Sequence, residues 1–263
     1  MKRTVFHASY FAICFLALAA PPAISADATD SPEPTVLPPG LVYLSDVDAS
    51  ILLDIRYASP RNFTGSTVPG YGAGECILTV EAANALKRVQ AAVKERALSL
   101  KVYDCYRPQT AVRAFVAWAE RAAQSPQSKS YYPNVSRSRL IELGYIAAVS
   151  GHSRGDTVDL TIEAAPPTAS ESSDAAASAG TCTDRQDKRD SDGSIDMGTE
   201  FDCFDPKSNT ASKSITDEQR RWRGVLVDAM AAAGFKNYAK EWWHFTFGAG
   251  RGKSYDFPIA RRP

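Results

Sequence analysis

Histidine is nearly absent from this chain: among 263 residues only His7, His152 and His244 carry an imidazole. Imidazole chemistry in a processed chain therefore falls to His152 and His244. An excess of charge is missing too, since 30 basic residues balance 30 acidic ones. That balance removes the overall attraction that nucleic acid or an anionic membrane would need, and fits a small neutral or zwitterionic partner better. No cysteine stands in a CxxC pair, the usual spacing of thiolate zinc sites, so the cysteines do not read as a metal site. Beyond the N-terminal segment no apolar run approaches the length of a membrane span.

What is present begins with a leader. Lys2 and Arg3 precede an apolar run from Phe11 to Ala20 and then the small residues Ala23, Ser25 and Ala26, which predicts a secretory signal peptide over residues 1–26. The expected location is therefore outside the cytoplasm, most simply the periplasm, and Cys14 leaves with the leader. Cys76, Cys105, Cys182 and Cys203 remain, an even count that reads as two disulfides in an exported chain. Four cysteines permit three pairings. Cys76 with Cys105 and Cys182 with Cys203 are favoured, because each pair closes a loop of a few tens of residues, worth about 3 kcal/mol in the chain-entropy view.

Residues 27–41, DATDSPEPTVLPPGL, form a proline-rich lead-in, and one domain is expected over 42–258. From Thr79, a plausible N-cap, Ala82, Leu86, Val89 and Val93 recur at helical spacing and predict a helix to about Ala97. LSLKVYD at 98–104 alternates like a half-buried strand, and Pro108 then opens a second helix with Val112, Phe115, Val116 and Ala119 on one face. YIAAVS (145–150) and TVDLTI (157–162) read as two strands around the turn GHSRGD. Residues 163–195 are rich in Ala, Ser, Asp and Pro and read as a low-complexity insertion. A third helix is announced by a Thr216–Gln219 capping box, with Trp222, Val225, Leu226, Ala229, Met230 and Ala233 as its apolar face. Without a regular βαβ rhythm, the predicted class is α+β: a mostly antiparallel central sheet with flanking helices.

The chemistry concentrates in two stretches. In SGHSRGDTVDLTI (150–162) alternation sets Thr157, Asp159 and Thr161 on the face away from the core side, while Gly151 and Gly155 let the turn bring His152 back toward Asp159. In EWWHF (241–245), Glu241 precedes His244 by three positions. Two imidazoles and one carboxylate are the protein ligands of a hydrolytic zinc site with an open position, with Glu241 as proton acceptor and Arg107 as the cation that stabilises developing negative charge. On a strand, 241 and 244 face opposite ways, so a bulge is needed, or a glutamate just before the strand starts. Plainer readings exist for each residue. A lone histidine on an aromatic strand is usually packed core, Asp159 could be a turn acid, Arg107 could pair with a carboxylate near its helix, and Trp242 and Trp243 suit a core or pocket wall. The coincidence that His152 and His244 both fall in these stretches favours the metal. Non-haem iron uses a similar ligand set, but its usual HxD spacing is missing.

These two stretches, with YDCYRP (103–108), resemble the VanX-type D-alanyl-D-alanine dipeptidases, zinc enzymes of the lysostaphin, D-alanyl-peptidase and hedgehog-like group. The likeness continues in DIRYASPRNFTG (54–65), VPGYG (68–72), SYYPNVSRS (130–138) and MGTEFDCFD (197–205). The resemblance implies a hedgehog/D,D-peptidase-like fold, one zinc ion per chain on His152, Asp159 and His244, Glu241 as base, and Arg107 as transition-state cation. It further implies that Asp202 receives the α-ammonium of a small zwitterionic dipeptide, D-Ala-D-Ala, in a pocket lined by Tyr57, Tyr71 and Ser150. Alternative readings are a D,D- or L,D-carboxypeptidase acting on longer wall peptides, or a catalytically inactive zinc-containing binding module. Retention of Glu241 and Arg107 speaks against the second. The insertion at 163–195 departs from the compact family pattern and closely precedes Asp202.

Overall fold

The computed structural model describes residues 1, 36–121, 129–165, 180–189 and 192–262. The expected leader at 1–26 and much of the 163–195 insertion lie outside the described residues. Every element below belongs to one unit, Glu33–Pro263.

The central sheet has five strands in the order β2-β4-β5-β7-β6. These are β2 (Leu52–Leu53), β4 (Leu98–Asp104), β5 (Thr157–Ala164), β6 (Phe235–Asn237) and β7 (His244–Phe247). Only β2 and β4 run parallel; the remaining pairs are antiparallel. A separate antiparallel pair joins β1 (Leu41–Tyr43) to β3 (Ile77–Thr79). Among the described residues four α-helices accompany them: α1 (Leu44–Val47), α2 (Val80–Lys94), α3 (Gln109–Glu120) and α4 (Asp217–Ala232). The fold is therefore α+β, as expected.

Local chemistry explains the helix starts. Thr79 caps α2, its hydroxyl accepting from Ala82 N at 3.2 Å, and Ala82, Leu86, Val89 and Val93 are buried. The helix ends at Lys94 rather than near Ala97, because Ala97 takes φ 54° to turn the chain into β4. The reciprocal bonds of the capping box open α4: Gln219 N donates to Thr216 Oγ1 and Thr216 N to Gln219 Oε1. That helix also buries Arg223, which donates to the carbonyls of Met197, Lys207 and Asn209 and so ties down the segment before it. The disulfides are Cys76–Cys105 and Cys182–Cys203, the pairing that loop length favours.

Two expectations need correction. Residues 145–150 form no strand, for β5 already has β4 on one edge and β7 on the other, and no edge is left for a hairpin partner. Nor is β4 half-buried: all of its residues are buried, and so are those of β5 up to Glu163. The polar face that should meet water is covered by residues 192–204. Phe201 stacks on Tyr103 with centroids 4.7 Å apart, Tyr103 Oη donates to Asp192, and Ser194 bridges to Glu163. Asp159 therefore points into a covered polar layer, not toward solvent.

Candidate metal centre

Strand register builds most of the site. Asp104 at the end of β4 lies opposite Asp159 on β5, and Asp159 lies opposite His244 at the start of β7, so three polar side chains form a row across three strands. Glu241 stands just before β7, in a turn where His244 N donates to the Glu241 carbonyl at 3.3 Å. This is the second of the two solutions to the parity problem: no bulge is required. Asn237 secures the turn by donating to the carbonyls of Glu241 and His244 at 3.0 and 3.1 Å. Trp242 and Trp243 are both buried, and Trp243 forms part of the cavity wall.

His152 enters from a short 3-10 turn, Gly151–Arg154. Ser150 Oγ accepts from His152 N at 3.3 Å, and Gly155 closes the turn at φ 75°. Gly151 admits no side chain, since a Cβ there would come within 2.6 Å of Thr157 Oγ1. The ring Nδ1 lies 2.7 Å from the Cys105 carbonyl. An acceptor at that distance places a proton on Nδ1. Nε2 then faces Asp159 Oδ2 and His244 Nδ1, each at 3.3 Å, while Asp159 Oδ1 stands 3.0 Å from His244 Nδ1.

The donor set fits a divalent metal. Among the described residues His152, Asp159 and His244 form the one cluster of three or more such side chains with ligand atoms all within 4.8 Å of one another. Asp159 Oδ1 is buried and has no hydrogen bond, although it is at ion-pair distance from His244 Nδ1. Ligand atoms of two imidazoles and one carboxylate thus converge on one point, an arrangement that a divalent cation satisfies. Burial would push the Asp159 carboxyl up, but the imidazoles of His152 and His244 outweigh it and hold the carboxyl below the usual carboxylate range.

Asp104, which sequence reasoning did not single out, stands behind this cluster. Its Oδ2 accepts from Arg107 Nε at 2.9 Å and lies 3.3 Å from His152 Nδ1, while Oδ1 accepts from Tyr71 Oη at 2.6 Å. The available signal was its place at a strand end, three positions before Arg107. The Arg107 guanidinium lies over the rings of Tyr57 and Phe115 and is 3.5 Å from Asp159 Oδ2. Burial opposes its charge, but Asp104 and its neighbours keep it firmly protonated.

A cavity of ≈ 200 Å³ opens on these groups, lined among others by Tyr57, Arg107, Asp159, Asp202, Glu241 and His244. Ser150 is on its wall, and Val149, 80% exposed, stands at the mouth. Tyr71 is not on the wall as expected; it is set behind it, bound to Asp104. Asp202 is buried at φ 58° and accepts from Tyr57 Oη at 2.8 Å. Burial and then the charge of Asp159 push the carboxyls of both Asp202 and Glu241 well up. Glu241 Oε2 is 3.6 Å from His244 Nδ1.

The sequence pattern of the peptidase M15 family, described as D-Ala-D-Ala dipeptidase, matches residues 39–165 and 162–260. The chain is also similar to a D-alanyl-D-alanine dipeptidase of Enterococcus faecium, 30% identical over 225 residues that cover 84% of this chain and 98% of that one. One from Enterococcus faecalis is 32% identical, covering 78% and 90%, and one from Streptomyces coelicolor is 33% identical, covering 83% and 97%.

Proposed function

The chain belongs to the peptidase M15 family of D-Ala-D-Ala dipeptidases, and from that premise we propose that it hydrolyses D-Ala-D-Ala with one zinc ion held by His152, Asp159 and His244. The observation that carries this reading is a charge imbalance. Three buried carboxylates, Asp159, Asp202 and Glu241, line the cavity and a fourth, Asp104, stands behind it, with a single guanidinium, Arg107, among them. One divalent cation and one substrate ammonium supply the missing positive charge.

Each residue then has a role its position suits. Zinc, when bound, lowers the pKa of a coordinated water toward neutrality and polarises the scissile carbonyl. Glu241 takes a proton from the attacking water and passes it to the nitrogen of the leaving D-Ala as the C–N bond breaks; a carboxyl pushed upward by burial is suited to both transfers. Arg107, held by Asp104 and facing the cavity, stabilises the negative charge that develops on the carbonyl oxygen. Asp202 meets the α-ammonium, with Tyr57 fixing the carboxylate. An acylated amine would leave Asp202 buried and unmatched, at a cost of several kcal/mol.

The test is a comparison of free and N-acetylated D-Ala-D-Ala on zinc-loaded protein. The free dipeptide is expected to be the faster substrate; faster cleavage of the acetylated one would instead make the chain a carboxypeptidase on longer peptides. We also propose export to the periplasm under the leader at 1–26, in keeping with the two disulfides. No helix among the described residues is long and apolar enough to cross a membrane. An intact leader on protein recovered from the cytosol would refute export.

A further inference from the structure

The two disulfides lie at opposite ends of the site. Cys105 directly follows Asp104, and its carbonyl is the acceptor that orients the His152 ring, at 2.7 Å. Two residues on, Arg107 N donates to the His152 carbonyl at 3.2 Å, and Tyr106 N donates to Ile77 O at 3.0 Å, next to Cys76. The Cys76–Cys105 crosslink and this bond together tie the 104–107 segment to the approach of β3.

At the other end Cys203 directly follows Asp202, whose φ of 58° lies in the left-handed region, uncommon for a residue with a side chain though tolerated by aspartate. Its surroundings include the crosslink to Cys182, the Ser208 hydroxyl donating to the Cys203 carbonyl at 2.6 Å, and Glu200 N donating to the Cys182 carbonyl at 3.1 Å. All four cysteines are buried.

We infer that the disulfides position the two ends of the site separately: Cys76–Cys105 sets the His152 ring and through it metal affinity, and Cys182–Cys203 sets the Asp202 carboxylate and through it recognition of the substrate ammonium. The inference rests on the function proposed above. A crosslink that only stabilised the fold would act mainly on the unfolded chain, lowering Tm on removal while leaving the constants of the folded enzyme alone.

The experiment compares the mature parent with Cys76→Ala/Cys105→Ala and Cys182→Ala/Cys203→Ala, measuring zinc dissociation constants by chelator competition and KM and kcat for D-Ala-D-Ala at saturating zinc. For the first pair zinc affinity falls about tenfold or more, with KM nearly unchanged. For the second, KM rises about tenfold while zinc affinity holds. Equal shifts in both constants for both pairs, or a lower Tm with both constants unchanged, would overturn the division. Ser208→Ala keeps both crosslinks and removes the hydroxyl that binds the Cys203 carbonyl and Thr199; if the second cysteine pair fails to fold, this variant decides the Asp202 arm, a raised KM with unmoved zinc affinity supporting it and an unchanged KM or a lowered zinc affinity overturning it, and if the first pair fails, the single Cys105→Ala decides the metal arm by the same zinc constants. A parent that binds zinc but cleaves neither free nor acetylated dipeptide would sink the proposed reaction and the Asp202 arm, while the zinc constants would still decide the metal arm.

Discussion

Two clusters of charge share one face of β5, a buried one around Asp159 and a part-buried one around Glu163, and they differ in balance. Around Glu163 the charges match. Arg56 donates to Asp54 at 2.8 Å and Asp192 at 2.6 Å, Arg61 lies 4.0 Å from Asp54, and Lys101 Nζ is 2.5 Å from Glu163 Oε2. The last is an ion pair by distance, with Glu163 short of hydrogen-bond alignment. Lys101 also donates to the Asp192 carbonyl. Three cations meet three carboxylates, so these charges balance among themselves. Around Asp159 four carboxylates share one arginine, and Asp159 Oδ1, without a hydrogen bond, stands 3.0 Å from His244 Nδ1. Buried charge by itself therefore says little about function; an unmatched residue of it, beside a cavity, says what ligand is wanted.

Breaking each cluster should give different losses. The largest effect belongs to the unbalanced one: Glu241→Gln lowers kcat about 10²- to 10⁴-fold, with zinc content per chain unchanged. Loss of zinc alongside activity would make Glu241 a ligand instead. In the balanced cluster Lys101→Met leaves Glu163 buried without its cation and costs about 3 kcal/mol of stability, read by chemical denaturation, with KM unchanged in the folded enzyme. A shifted KM would show that the clusters are not independent.

Asp104→Asn probes the boundary between them. As a carboxylate behind a ligand histidine, its loss weakens zinc binding about 10- to 100-fold with little change in Tm; a large Tm loss with zinc affinity intact would class it with the structural cluster. The smallest effect is on the acid side. Burial would raise the Asp192 carboxyl, but Arg56 and Lys101 outweigh it and hold the folded-state value below the ordinary one. With the folded pKa depressed, its stabilisation is complete above the unfolded value and is lost as pH falls toward the folded one, so the loss appears below about pH 4. Asp192→Asn should flatten that part of a stability–pH profile; an unchanged profile would remove Asp192 from the balance.

Much of this was legible before folding was considered. The Thr79 and Thr216 caps, the apolar stripe of α2, the turn glycines at 151 and 155 and the spacing of Glu241 and His244 are short-range features, set by neighbours within a turn or two. Other features were not. Alternation in LSLKVYD and TVDLTI separates two faces but cannot say that residues 192–204 cover the polar one. YIAAVS has strand-like composition, yet pairing depends on a free edge, and β7, far along the chain, occupies it. Asp104 looked like the end of a strand, and only its place opposite Asp159 turns it into the support of Arg107 and His152.

The amino-acid sequence alone thus determined which groups could act: two imidazoles, a carboxylate on a strand, a glutamate three positions before a histidine, and the local turns that free them. The tertiary structure alone decided that Asp104, Asp159 and His244 stand in one row, that this row meets a cavity rather than open solvent, and that Tyr71 supports the wall rather than forming it. The physical reason is range. Caps and turns are fixed by bonds between near neighbours, whereas register and burial are fixed by contacts between segments tens of residues apart, which leave no periodic mark on either segment.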